Sequence, residues 1–122
     1  AWHLLAGDAS ALPAIQRRLE EFPEGTHAQV LLHIPLSQDQ RNLQSKAELQ
    51  LQWLATSEEL VNAMQQLQLP PGEGCVWCAG EAALMARIRD ILLLEKQLPR
   101  DTMRVSAYWK SGAADFQEAK EH

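Results

Sequence analysis

The sequence predicts an α/β domain, a mostly parallel sheet of about five strands with helices on both faces. Three observations carry that prediction. Apolar stretches of strand length alternate with segments of helical period along most of the chain. His27 to Ile34, "HAQVLLHI", is a nearly continuous apolar run, as expected of a strand covered on both faces. Pro23-Glu24-Gly25, Pro70-Pro71-Gly72 and Pro99 punctuate the elements.

The elements follow in the order β-α-β-β-α-β-α-β. Trp2 to Gly7 is a short apolar run ending in Gly, and Leu12, Ile15, Leu19 and Phe22 then recur at helical spacing. Ser10 is the expected N-cap of that helix, with Pro13 in its first turn, where a missing N–H costs nothing. After the strand at His27 to Ile34, the polar, aperiodic segment Pro35 to Lys46 reads as a surface loop. Ala47, Leu49, Leu51 and Trp53 alternate with Glu48, Gln50 and Gln52, a strand with one wet face that belongs near a sheet edge. Thr56-Ser57-Glu58-Glu59 fits a capping box opening a helix through Leu60, Met64 and Leu67. Cys75 to Ala79 is the next strand. Gly80 turns the chain into a helix with Leu84, Ile88, Ile91 and Glu95 on one stripe and Leu92 beside it. Met103 to Trp109 alternates as a final strand, and the remainder is a polar tail, expected to be helical at its end.

A chain of 122 residues supports one hydrophobic core, so residues 1–122 are read as a single domain. With 46% hydrophobic and 22% charged residues the composition is globular. No apolar run approaches the roughly 20 residues that span a membrane, so no membrane insertion is expected. A formal charge of -5 without a dense Lys/Arg cluster argues against nucleic acid as a partner. Ala1-Trp2-His3 shows neither an initiator Met nor the n- and h-regions of a signal peptide, and so abrupt a start is expected of an excised domain. Two cysteines are too few for a secreted disulfide scaffold, which makes a cytoplasmic location the default.

Those cysteines, Cys75 and Cys78, stand at C-x-x-C spacing. In a strand they are separated by roughly 10 Å and point to opposite faces, whereas a disulfide needs Cα atoms within roughly 7 Å. A redox pair also belongs at a helix start, and here the helix begins after the second cysteine. Four zinc ligands are not assembled either, with His3, His27, His33 and His122 scattered singly. Two buried small side chains in a core strand is the preferred reading, and a thiol redox protein the rival.

In a doubly wound sheet ligands sit beyond the carboxyl ends of the strands. Three such ends carry candidates. Gly7-Asp8-Ala9-Ser10-Ala11 precedes a helix N-terminus, whose free N–H groups and dipole suit a phosphate, with the Ser10 hydroxyl as a further donor. Asp8 would repel that phosphate if it pointed inward, and a plain capped loop accounts for the same residues. Ala79-Gly80-Glu81 precedes the long helix, where Gly80 serves the turn if nothing more. Tyr108-Trp109-Lys110 places two rings and a cation after the last strand, although Trp109 fits the core and Tyr108 a surface ring equally well. No Ser/His/Asp arrangement or paired carboxylate site is legible.

Three stretches, "WHLLAGDASALPAI", "VWCAGEAALMARIRDILL" and "MRVSAYWKSGAAD", resemble in that order the C-terminal half of siderophore-interacting proteins, flavin-dependent ferric-siderophore reductases of the ferredoxin-reductase superfamily. The family pattern is roughly G-D-E-T-A-L-P-A-I, V-W-x-A-G-E and V-S-x-Y-W-R/K-x-G-x-A-D/E. The resemblance implies a Rossmann-like, ferredoxin-reductase-like domain that binds NAD(P)H. It implies further that an N-terminal β-barrel, the chain's own FAD-binding domain, holds most of the FAD and that a ferric siderophore is the substrate. Hydride passes from nicotinamide to flavin and electrons to ferric iron, and the Fe(II) formed suits hard oxygen donors poorly and is released.

By the same resemblance Gly7, Asp8, Ser10, Ala11 and Pro13 face the dinucleotide, and Ala79, Gly80 and Glu81 lie beside the nicotinamide. Tyr108, Trp109 and Lys110 lie near the flavin and substrate mouth, with Lys110 holding an anionic chelate or a cofactor phosphate. The chain departs from the pattern in Ala9, where the family has an acid, in Ser10 for Thr, and in "WLATS", where a basic pair is common. The last leaves NADH versus NADPH open. Without a flavin domain the chain alone is expected to bind nicotinamide weakly and not to reduce iron. The rival from another class is a stand-alone nucleotide- or protein-binding module without catalysis.

Overall fold

A computed structural model describes residues 1–112; the expected helix in the tail lies outside the described residues. Five strands form one fully parallel sheet: β1 (Trp2–Asp8), β2 (His27–His33), β3 (Glu48–Leu54), β4 (Gly74–Glu81) and β5 (Met103–Trp109). Their spatial order is β3-β2-β1-β4-β5. The helices are α1 (Leu12–Glu21), α2 (Ser57–Gln66) and α3 (Ala82–Asp90). This is the predicted element order and a Rossmann-like fold. The direction of winding reverses at β1, so the crevice between the carboxyl ends of β1 and β4 is the switch point where such sheets bind ligands.

The period of two along the central strands divides the core into two layers. Leu4 and Ala6 of β1, with Val76 and Cys78 of β4, pack beneath Leu60 and Met64 of α2 and Leu84, Ile88 and Leu92 of the α3 segment. Leu5, Val30, Leu32, Trp77 and Ala79 face the other way, against Leu12, Ile15 and Leu19 of α1. These three α1 residues recur at helical spacing and are all but inaccessible. Burying each Leu or Ile contributes about 1.5–3 kcal/mol, which holds a helix of only ten residues in place. The segment after β2 takes no α-helix, only a 3-10 turn at Ser37–Asp39. It crosses the α1 side, where Leu43 packs on the core and the Ser45 hydroxyl donates to the Leu19 carbonyl.

β3 is an edge strand with alternating partial exposure, as its sequence predicts. Thr56 caps α2, accepting from the Glu59 N–H at 3.1 Å, while the Glu59 carboxylate accepts from the Ala55 N–H at 3.0 Å. Other local expectations are corrected. Ser10 does not cap α1: a 3-10 turn, Ala9–Ala11, intervenes and is capped by Asp8, and the N-cap of α1 is Ala11. β4 runs two residues beyond its expected end, to Glu81. The long helix keeps α-geometry only to Asp90 and continues as a wide π-turn, Ile91–Glu95, closed by Lys96 N–H donating to the Ile91 carbonyl. The extra residue per turn shifts the phase and carries Glu95 off the buried stripe to the surface.

The cysteines are also not both buried. Cys78 is fully enclosed, but Cys75 is exposed. Pairing with β5 begins only at Val76, so Cys75 has no neighbour on that side. The two residues do lie on opposite faces, and no disulfide forms. Burial pushes the Cys78 thiol up to about 12, far from a reactive thiolate. Titration of the native chain with a disulfide reagent is therefore expected to modify one thiol, Cys75, and to reach the second only on denaturation. Two rapidly reacting native thiols would contradict the burial of Cys78.

Candidate functional site

At the switch point the chain places a carboxylate. Asp8, the last residue of β1, is 6% exposed and is the one buried charged side chain among the described residues. Burying a charge is costly unless hydrogen bonds replace its water. Three segments supply them. Asp8 Oδ1 accepts from the Ser10 N–H at 3.0 Å and from the Ser10 hydroxyl. Asp8 Oδ2 accepts from the Glu81 N–H at 2.9 Å, at the end of β4, and from the Trp109 indole Nε1–H at 3.0 Å, at the end of β5. The carboxylate thus ties the carboxyl ends of β1, β4 and β5 together.

Two glycines make room for this arrangement. A Cβ on Gly80 would stand 2.7 Å from Asp8 Oδ2, and one on Gly7 would stand 2.5 Å from the Ala79 carbonyl oxygen. The Ala79 side chain and that of Ala11 are fully buried. Both glycines are therefore required by contacts within the protein.

Glu81 performs the corresponding task for α3. Its carboxylate accepts from the Ala83 N–H at 3.0 Å and the Leu84 N–H at 3.1 Å. The bond from Ala83, with further backbone N–H groups, holds the Glu81 carboxyl below the usual glutamate range against a smaller effect of desolvation.

Beyond this bonded layer the surface changes character. Tyr108 and Trp109 are each 44% exposed, and Lys110 follows them at the surface. Trp109 is thus neither core nor free: its Nε1–H is anchored on Asp8 while much of its ring faces outward. The two half-exposed rings lie on different sides of β5, Tyr108 against Trp77 and Trp109 on Asp8, and each leaves a face open to a flat ligand or another protein surface. A larger groove of about 630 Å³ opens on the far side of the sheet, lined by Gln29, Gln50, Gln52, Asn62 and Gln66 among others. Its carboxylate, Glu59, is engaged in the α2 cap.

The family model described as siderophore-interacting protein matches residues 1–112. This chain belongs to the siderophore-interacting protein family. The ferric vibriobactin reductase ViuB of Vibrio cholerae is 31% identical over 118 residues, covering 91% of this chain and 44% of ViuB. The NADPH-dependent ferric-chelate reductase of Escherichia coli is 27% identical over 113 residues, covering 89% of this chain and 44% of that protein. Among solved structures, the siderophore-interacting protein SipS from Aeromonas hydrophila superposes with a TM-score of 0.81 at 27% identity, covering 91% of this chain and 46% of SipS. A siderophore utilization protein from T. fusca gives a TM-score of 0.81 at 27% identity, covering 94% and 47%. The chain thus spans somewhat less than half the length of these relatives.

In this family member the strand ends hold Gly7, Asp8, Ser10, Gly80, Glu81 and Trp109 in one bonded cluster. Pro13 and Lys110 lie at the surface, and Ala11 and Ala79 beneath it. The donors offered to a phosphate in the sequence are already engaged: the Ser10 N–H and hydroxyl on Asp8, the Ala83 and Leu84 N–H groups on Glu81. Pro13 has no N–H. The 3-10 turn before α1 and the N-terminus of α3 therefore each carry one of the chain's own carboxylates, and a dinucleotide pyrophosphate seated on either turn does not fit the arrangement. What the sequence does not reveal is the bond between Asp8 and Trp109, 101 residues apart; only the local Asp8-x-Ser10 turn signal is legible.

Gly80→Ala is expected to cost about 1–3 kcal/mol in urea denaturation, since the methyl group meets a carboxylate held by four hydrogen bonds. A fully neutral substitution would contradict the close approach. Removing the α3 cap with Glu81→Ala should cost about 1 kcal/mol at neutral pH. Because the folded-state Glu81 carboxyl sits below its ordinary value of 4.5, its contribution is complete above that value and is lost as the pH falls through the folded-state pKa. The stability difference between the wild type and Glu81→Ala should accordingly close on acidification, and a gap that widens would exclude the capping role.

Proposed function

We propose that this chain is the C-terminal, nicotinamide-facing domain of a ferric-siderophore reductase, working with a flavin held mainly by a preceding barrel domain. The observation that carries the reading is the half-exposed Trp109 ring anchored on Asp8 at the switch-point edge, in a chain whose family relatives include proteins named as ferric reductases. A nicotinamide and a flavin would supply hydride acceptance and single-electron delivery to ferric iron, chemistry that no side chain of this domain provides. The substrate is then a ferric siderophore, and its iron, once ferrous, matches hard oxygen donors less well and is given up.

The domain's own residues have a narrower task. Asp8 fixes the Trp109 indole, and with it the direction in which that ring faces. Gly7 and Gly80 let the strand ends approach Asp8 closely. Ser10 and Glu81 complete the bonded layer instead of donating to a ligand. Lys110, beyond the last strand, is the cation placed to meet an anionic chelate or cofactor phosphate from the side. Held this way, a nicotinamide cofactor is bound without helix N–H groups, and weak affinity in the isolated domain follows. The thiol redox reading is not favoured, since Cys75 and Cys78 point to opposite faces and Cys78 is sealed in the core.

The test is the complete product of the gene. It should purify with bound flavin, oxidise NADH or NADPH when a ferric chelate is supplied, and release Fe(II) to a ferrous-specific dye. Trp109→Ala in that protein should lower the turnover of ferric chelate about tenfold or more while leaving flavin content unchanged, because a misplaced reacting surface is costly. A colourless protein, or one that reduces no ferric chelate with either nicotinamide, would overturn the reading.

A further inference from the structure

Among the described residues, the α1 face of the sheet is roofed by a helix over only part of its width. Trp77 of β4 and Arg104, Ser106 and Tyr108 of β5 face that side, and a groove of about 440 Å³ lies between them and Ala14, Arg17, Arg18 and Glu21 of α1. Arg18 takes the place of a covering side chain. Its guanidinium carbon lies 4.6 Å from the centre of the Trp77 ring and helps reduce Trp77 to 8% exposure. Tyr108 meets Trp77 edge-on, with centroids 6.2 Å apart, and keeps 44% of its surface open.

The charge in this groove runs against that of the chain. The net charge is -5, yet three guanidiniums, of Arg17, Arg18 and Arg104, border one groove against the single carboxylate of Glu21. None of the three forms an ion pair among the described residues; Arg87 and His27 make the ion pairs found there. Unpaired guanidiniums present forked donors that match phosphate oxygens, and an open phenol ring beside them offers a face for stacking. The volume falls within the roughly 300–1,000 Å³ of small-molecule sites. We propose that this groove binds a phosphate ester carrying a planar ring, with a mononucleotide as the ligand class: the guanidiniums hold the phosphate and Tyr108 stacks on the ring. The site lies on the α1 face of the sheet, apart from the Asp8 cluster, and does not rest on the cofactor reading given above.

The experiment is a titration of the 15N-labelled chain at low salt with AMP, with inorganic pyrophosphate and with adenosine, followed by the indole and guanidinium N–H signals. AMP is expected to saturate, shifting the Trp77 indole and the Arg17, Arg18 and Arg104 side chains. Pyrophosphate and adenosine should each bind about tenfold more weakly, as the loss of about 1.4 kcal/mol of stacking or charge pairing requires. Arg104→Gln, at an exposed edge-strand position, should weaken AMP about fivefold or more with an unchanged melting temperature. Tyr108→Leu should reduce AMP binding toward that of pyrophosphate and leave pyrophosphate binding as it was. No saturation with AMP at about 1 mM, or pyrophosphate binding as tightly as AMP, would overturn the proposal. So would shifts confined to Ser10, Glu81 and Trp109, which would assign the nucleotide to the strand ends instead.

Discussion

One buried carboxylate sets the terms for the rest of the strand-end structure. Moving Asp8 out of water is unfavourable by several kcal/mol unless its lone pairs are filled, and filling them draws on three parts of the chain at once. The turn after β1 must fold back to bring the Ser10 N–H and hydroxyl within reach. β4 must extend past Ala79 to present the Glu81 N–H, and β5 must end with an indole. Gly80 must lack a side chain, because the space a methyl group would occupy belongs to the carboxylate. Leaving one donor out would strand a charge that the fold has already dehydrated, and this is why the strand ends act as a unit.

That unit also explains why the edge departs from the usual arrangement at a switch point. In many doubly wound sheets the first helix begins with free N–H groups and receives a phosphate. Here a 3-10 turn capped by Asp8 stands before α1, Pro13 removes one N–H, and Glu81 fills the N-terminus of α3. The 3-10 turn and the positive end of α3 are thus satisfied internally. A ligand approaching this edge meets the Trp109 ring and a lysine before it meets backbone. Selectivity there must come from shape and from side-chain charge.

Most of the architecture was legible because it rests on short-range pattern. Periods of two and of three to four, with Pro and Gly breaks, suffice to place the five strands and three α-helices of the described residues, and the Thr56 and Glu59 pair marks a helix start unaided. What was not legible depends on distance or on neighbours. Ser10 resembles an N-cap locally, but Asp8 outcompetes it once β4 and β5 arrive with further donors. The exposure of Cys75 follows from where β5 begins to pair, which nothing in "GCVWCAGE" encodes. The π-turn after Asp90 leaves the apolar spacing nearly intact, and only the outward position of Glu95 reveals it. At the site, the sequence marks Gly7, Asp8, Gly80, Glu81 and Trp109 one by one as ends of strands. That one carboxylate binds them together appears only in three dimensions.

The two sides of β5 show how one edge strand serves two surfaces. Strand alternation sends Arg104, Ser106 and Tyr108 to the α1 face, whereas the irregularity in pairing between Gly80 and Glu81 lets Trp109 turn its indole to Asp8. Had the register stayed regular to the end, Glu81 would not pair opposite Trp109, and the carboxyl end of β1 would lack its third anchor. Alternation thus separates an anchored aromatic at the switch point from an open one beside the arginines, and the bulge sets the anchored one opposite Glu81. It lies next to Gly80, where absence of a side chain leaves the backbone free to take that path.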